Sequence, residues 1–115
     1  MQRRPFVRTL AAAALLGSLA TGAFAQAYPA QTVKFIIPFP PGGTLDAVGR
    51  MLAQKLSEQM GQTFIVENRA GASGTIGAHA VAKATADGYT LLFNASTFTT
   101  APMTLKSVPY SVGKD

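Results

Sequence analysis

The stretch TVKFIIPFPPGGTLDAVGRMLAQKLSEQM, residues 32–60, decides the fold. Its first part, Thr32 to Ile37, is mostly β-branched and apolar and stops at Pro38, which cannot donate to a central ladder; this predicts a strand. Pro38-Phe39-Pro40-Pro41-Gly42-Gly43 reads as a turn that is first rigid, then flexible. From Thr44 to Met60 the apolar residues Leu45, Val48, Leu52 and Leu56 recur at spacings of three and four, flanked by Met51 and Met60. That period predicts a helix with one apolar stripe turned inward. Gly43 or Thr44 is the expected N-cap, Asp46 falls in the first turn, and Gly61 ends the helix in the left-handed position.

Toward the carboxyl end the alternation continues. Thr63 to Val66 predicts a second strand, and Asn68-Arg69-Ala70-Gly71-Ala72-Ser73-Gly74 a polar, glycine-rich loop. Thr75 to Ala84 predicts a helix with Ile76, Ala80 and Val81 facing inward. Asp87-Gly88 is a turn, and Tyr89 to Phe93 a third strand. The order β-α-β-α-β with nearly continuous apolar strands predicts an α/β unit, a parallel sheet covered on its faces by helices. Right-handed crossovers then make the first strand the central one. Beyond Asn94 the pattern weakens: Pro102 permits a short helix between Thr97 and Lys106, and Val108 to Asp115 offers no closing strand. Both outer strands would be open edges, so the expectation is part of a domain, not a finished one.

Toward the amino end the sequence changes character. Arg3, Arg4 and Arg8 precede an apolar run from Thr9 to Ala20, and Ala23-Phe24-Ala25 supplies the small-x-small pattern of a cleaved export signal. Residues 1–25 are therefore expected to be a signal peptide, and 26–115 the first part of one lobe. A membrane anchor is the competing reading, but the run carries Gly17, Ser18, Thr21 and Gly22 and is short for a span. The chain of 115 residues has a formal charge of +5 and no cysteine, which excludes lipid attachment at a cysteine after the apolar run. Without the leader, seven basic residues face five acidic ones, a net of +2, and the seven are scattered singly. A stripe for a phosphate backbone is absent, so nucleic acid is not an expected partner.

Three segments fall at the carboxyl edge of the sheet, where open α/β sheets bind ligands: Pro38–Asp46, Asn68–Thr75 and Asn94–Thr97. Two are glycine-rich and open helices. Backbone N–H groups of Gly42, Gly43 and Thr44 could face an anion there, aided by the helix dipole. The bland alternative, that both turns are only tight connections, stays open from the residues alone. Gly71-x-x-Gly74-x-x-Gly77 lacks the Lys-Ser/Thr ending of a nucleotide-binding loop. His79 is the one histidine, placed in an Ala-rich helix, and the carboxylates Asp46, Glu58, Glu67, Asp87 and Asp115 are dispersed. A metal set is not assembled, nor is a nucleophile with its base, and Ser73 and Ser96 have no G-x-S-x-G context. Asp46 either caps its helix or holds a ligand ammonium group or bridging water.

Tyr28-Pro29, the run from Val33 to Gln62 and the run IVENRAGASGTIGAHAVAKATADGYTLLF from Ile65 to Phe93 together resemble the Bug-type extracytoplasmic receptors of tripartite tricarboxylate transporters. The most specific features are PFPPGG-x-x-D and ENR-x-GA-x-G-x-IGA in combination. The resemblance implies a longer, two-lobed Venus-flytrap protein of the periplasm that captures a small carboxylate for integral-membrane permease subunits. It implies no enzymatic activity, cofactor or metal, and a monomer is the expected state. Carried over residue by residue, the ligand contacts it implies are Phe39, Gly42, Gly43, Thr44 and Asp46 in the first loop. Ala72, Ser73, Gly74 and Thr75 follow in the second. Many family members carry a Gly-Thr-rich stretch ending in His-x-x-Asn-Pro after the third strand; here Asn94 to Pro102 departs from it. The reading from another class is a fragment of a secreted α/β hydrolase or transferase whose catalytic residues lie downstream.

Overall fold

The computed structural model describes residues 27–114; the expected export signal over 1–25 and the terminal Asp115 lie outside the described residues. Strand β1 (Val33–Ile37) leads into helix α1 (Thr44–Met60), then strand β2 (Phe64–Asn68). A single 3₁₀ turn (Ala72–Gly74) precedes helix α2 (Thr75–Ala82), followed by strand β3 (Thr90–Leu92) and helix α3 (Thr97–Thr104). The sheet order is β2-β1-β3 with both pairings parallel, so the first strand is central as the crossover rule requires.

The central strand is buried along most of its length because it is covered on both faces. Its alternate residues Val33 and Phe35 join Phe64 and Ala53 in the core, with Leu56, Val66, Tyr89 and Phe93 packed against them. On the other face Ile36 and Lys34 share a small hollow with Ala80 and Ala84 from the α2 side.

Helix α1 has the expected bounds, with Gly61 in the left-handed conformation (φ 68°) and its N–H donated to Ser57 O. Its inward face is not the expected one. The buried residues are Asp46, Gly49 and Ala53, while Val48, Met51 and Leu52 are exposed. The cause is the closeness of the helix to the sheet: a Cβ at Gly49 would sit 2.6 Å from Ile37 Cδ1 and 3.1 Å from Phe93 Cδ1. Only small residues fit along that line, so Val48, Met51 and Leu52 turn outward, while Leu45 and Leu56 are half-buried and Leu56 packs against the core. In α2 the correction is confined to Ile76, which is exposed; Ala80 and Val81 are half-buried as expected of an inward side, and Thr75, Gly77 and Ala78 are buried.

Strand β2 runs two residues further than its apolar pattern. Glu67 and Asn68 pair in register with Ile36 and Ile37, and their polar side chains find partners: Glu67 meets Lys34 (2.9 Å) and Arg69. The third strand is shorter than expected, although Tyr89 O accepts from Lys34 N–H and Phe93 N–H donates to Ile36 O, extending the ladder at each end. Among the described residues no helix is long and apolar enough to cross a membrane.

Candidate ligand-binding site

Both glycine-rich loops lie at the carboxyl end of the sheet and pack against one another. Pro38 is fully buried, and a Cβ at Gly77 would lie 2.7 Å from Pro38 Cβ and 2.9 Å from its Cα. The Cβ position of Gly74 lies 3.5 Å from Pro38 Cβ and 3.6 Å from Phe39 Cζ. Gly74 at the end of the second loop and Gly77 in the first turn of α2 thus let the first loop come within van der Waals contact. Arg69 N–H donates to Ile37 O (2.8 Å), which ties the start of the second loop to the end of β1.

The head of α1 opens outward. Gly42, Gly43 and Thr44 are exposed, and Gly43 at the N-cap provides no side-chain cap. The first helical bond is Ala47 N–H to Gly43 O, so the earlier first-turn N–H groups have no intrahelical acceptor. Gly42 adopts φ 89°, and no atom lies within 4 Å of its Cβ position. The left-handed position leaves open space beside the loop, but the Gly42 N–H does not face an anion as expected, because it is donated to Asp46 Oδ2.

Asp46 behaves differently from the rest of its loop. It is 5% exposed, and both carboxylate oxygens are engaged inside the chain. Oδ2 accepts from Arg50 Nε and Gly42 N–H (3.0 Å each), and Oδ1 from Asn68 Nδ2 (2.9 Å). Asn68 Nδ2 also donates to Phe39 O (3.0 Å), and its Oδ1 accepts from Arg50 Nη2 (3.0 Å). Asp46 therefore closes its loop from within. Arg50, then the Gly42 N–H and Asn68, hold the carboxyl well below the usual carboxylate range despite its burial. Lys34 and then Arg69 lower Glu67 in the same way.

A carboxyl depressed in the folded state adds stability that is complete above its unfolded pKa of about 4 and is lost as pH falls. Urea midpoints should therefore decline from about pH 5 downward, and Asp46→Asn should flatten that decline while lowering the midpoint at pH 7. Equal slopes for wild type and Asp46→Asn below pH 5 would exclude this role for the carboxylate.

The second loop is wound left-handed. Gly71 and Gly74 have φ 136° and 88°, but Ala72 (46°) and Ser73 (55°) are also positive, without glycine's licence. Two adjacent residues of that kind cost of order 1 kcal/mol or more each, and such backbone concentrates at ligand clamps. The turn is secured from inside: Gly74 N–H donates to Gly71 O, and the Thr75 hydroxyl and N–H both donate to Ala72 O. Ile76 Cδ1 occupies the space that a Cβ at Gly71 would need. Ala72 and Ser73 are exposed, Gly74 and Thr75 buried.

In the third segment Asn94 Oδ1 accepts from Ala95 N–H (2.8 Å) and the Thr97 hydroxyl (3.0 Å), making a side-chain turn ahead of α3. A hollow of about 490 Å³ lies beside β3, lined by Leu92, Asn94, Ser96, Phe98 and Thr99 among others, and it does not reach the glycine loops. His79, half-buried, has its Nδ1 2.9 Å from Pro109 O, a tie to the carboxyl-terminal segment. Among the described residues no group of three His, Cys, Asp or Glu side chains could hold a metal ion.

Of the nine candidate residues, Phe39 on the first loop and Gly74 on the second are brought into contact, and Arg50 and Asn68, which hold Asp46, were not among the nine. The signal that could have found them is local: Asp46 and Arg50 stand four apart on one helix, the spacing of an ion pair.

Residues 48–115 match the family profile described as "Tripartite tricarboxylate transporter family receptor". Protein BugT of Bordetella pertussis is 47% identical over 96 residues, covering 79% of this chain and 28% of that protein. The solved periplasmic binding protein BugD is 46% identical with a TM-score of 0.54, covering 56% of this chain and 22% of that one. The R. palustris protein Rpa4515, solved with adipate, is 35% identical with a TM-score of 0.67, covering 76% and 30%. The chain thus spans about a third or less of the length of these proteins.

Proposed function

The chain belongs to the tripartite tricarboxylate transporter receptor family and forms part of one lobe of the periplasmic-binding-protein fold, and from that premise we propose that it captures a small carboxylate for a membrane permease. The observation that carries this reading is the uncapped, outward-facing head of α1 at the carboxyl edge of a parallel sheet. Gly43 and Thr44 present backbone N–H groups to the carboxylate, Gly42 keeps the approach open, and Phe39 forms the wall toward the second loop. Ala72 and Ser73 supply the facing contact, while Gly74 and Thr75 hold their turn in shape. The adipate bound to a structural neighbour has the required chemistry: two carboxylates joined by an apolar chain.

Magnitudes assign the remainder of the affinity to a second lobe. A charge at a helix head is worth about 0.3–1 kcal/mol, up to ~2 when partly buried. Micromolar capture requires about 8 kcal/mol. The seat described here is half of a cleft, and closure over the ligand supplies the rest. The protein works in the periplasm as a monomer, exported by the leader at residues 1–25 and delivering its ligand to permease subunits. It is a receptor and not an enzyme.

The test is a thermal-shift screen of the protein at its full natural length against mono-, di- and tricarboxylates, with neutral sugars as controls. At least one carboxylate at 100 times its Kd should add about 2.7 kcal/mol and raise the melting temperature by several degrees. A response to sugars with none to any carboxylate would overturn the reading.

A further inference from the structure

Three side chains from two separate elements meet behind the first loop. Asp46 and Arg50 come from α1, and Asn68 ends β2. Three hydrogen bonds join them to one another, and two more run to the loop backbone, at Phe39 O and Gly42 N–H. One orientation of the Asn68 amide satisfies all of its contacts, with Oδ1 toward the guanidinium and Nδ2 toward two acceptors.

We propose that Asp46, Arg50 and Asn68 are positioning residues that hold the Phe39–Thr44 backbone at a fixed offset from the second loop, without touching the ligand themselves. This rests on the carboxylate-capture reading and assigns a role that reading leaves open.

Three features support it. First, Pro38 and Phe39 are held by packing against Gly74 and Gly77, but Pro40 to Gly43 are exposed and Gly42 has open space around its Cβ position. On that half of the loop the Gly42 N–H is bonded to the Asp46 side chain, and Gly43 O accepts only from within the helix, at Ala47 N–H. Second, Asn68 pairs with Ile37 and precedes Arg69, where the second loop departs, so a bond from Asn68 to Phe39 spans the two loops. Third, a bare carboxylate behind the head of α1 would oppose an incoming anion; Arg50 at 3.0 Å offsets it, and the bracket is neutral as a unit. Lysine cannot replace Arg50 here, since one ammonium does not reproduce a fork that reaches Asp46 through Nε and Asn68 through Nη2.

The experiment uses the protein at its full natural length, with Asn68→Ala and the milder Arg50→Lys. Amide hydrogen exchange read by NMR should accelerate roughly tenfold at Gly42 and Ala47, while amides of Ser57 and of β1 keep their rates. Calorimetry with adipate and with malate, at a temperature where both variants remain folded, should show affinity falling about tenfold in each. Uniform acceleration at every amide, or none at Gly42 and Ala47, would overturn the proposal, as would unchanged affinity in a loosened loop. If wild type binds neither dicarboxylate, the carboxylate reading is what fails, and the exchange rates alone decide whether the bracket holds the loop. If Asn68→Ala does not fold, Arg50→Lys carries both measurements.

Discussion

Replacing Phe35 by alanine is expected to cost about 3–5 kcal/mol of folding stability, the range for deleting a buried aromatic ring from a packed core. Phe35 is the middle residue of the central strand and is 5% exposed. Its ring lies 5.7 Å from the Phe64 ring, tilted by 56°, and 6.0 Å from the Phe93 ring, nearly parallel to it. One residue from each of the three strands' segments therefore meets under α1, and the loss would leave a cavity that the flanking strands cannot close without moving the ladder. Native domains are stable by about 5–15 kcal/mol, so the change removes a large fraction of what such a fold has. The check is a urea titration followed by far-UV circular dichroism, with Met103→Ala as the control, since Met103 is 85% exposed. A loss below about 1 kcal/mol would mean that this aromatic cluster is not the centre of the core. Phe35→Leu, which retains most of the volume, gives a measurable midpoint if the alanine variant does not fold.

Features set by short-range interactions were legible in the sequence, and those set by distant contacts were not. The limits of α1 were legible because its signals are local: a Pro-Gly turn before Thr44 and a glycine at 61 whose φ is 68°. Strand order followed from chain handedness alone. The inward face of α1 was not legible from hydrophobicity, because it is set by the distance to the sheet. At that distance Gly49 is worth more than Val48 or Leu52, and the pattern of large apolar residues points the wrong way. The end of β2 was hidden for a related reason. Glu67 and Asn68 look like loop residues until Lys34 and Asp46, far away in sequence, are seen to satisfy them. Within the candidate site the glycines announced flexible backbone, yet the positive φ of Ala72 and Ser73 carries no residue-type signal. The exposed stripe of Val48, Met51 and Leu52 shows the same limit: amphipathic spacing locates a helix, but not which neighbour its apolar side meets.

Gly77→Ala should be destabilising by about 2 kcal/mol, although alanine is the better helix former by about 1 kcal/mol. The sign is decided by what the added methyl meets. Its neighbours would be Pro38 Cβ at 2.7 Å, Pro38 Cα at 2.9 Å and Arg69 O at 3.0 Å. None is the end of a flexible side chain: two belong to a buried proline, and the third is a backbone carbonyl. Relief requires moving α2 from the sheet or pushing Pro38 outward, and Pro38 is where the first loop begins. If the proposed carboxylate seat is right, the substitution should also weaken capture, since the Gly43–Thr44 amides would shift relative to the second loop. Gly43→Ala separates the two effects, because its methyl would find only Pro40 O at 3.9 Å and its φ of −80° suits any residue. That variant should keep its stability within about 0.5 kcal/mol, so any loss of binding in it reflects crowding of the seat. Urea midpoints for both variants, beside calorimetry with adipate on the full-length protein, provide the comparison. A Gly77→Ala protein as stable as wild type would mean that α2 and the first loop are not packed as tightly as described, and the two-loop seat would lose its physical basis.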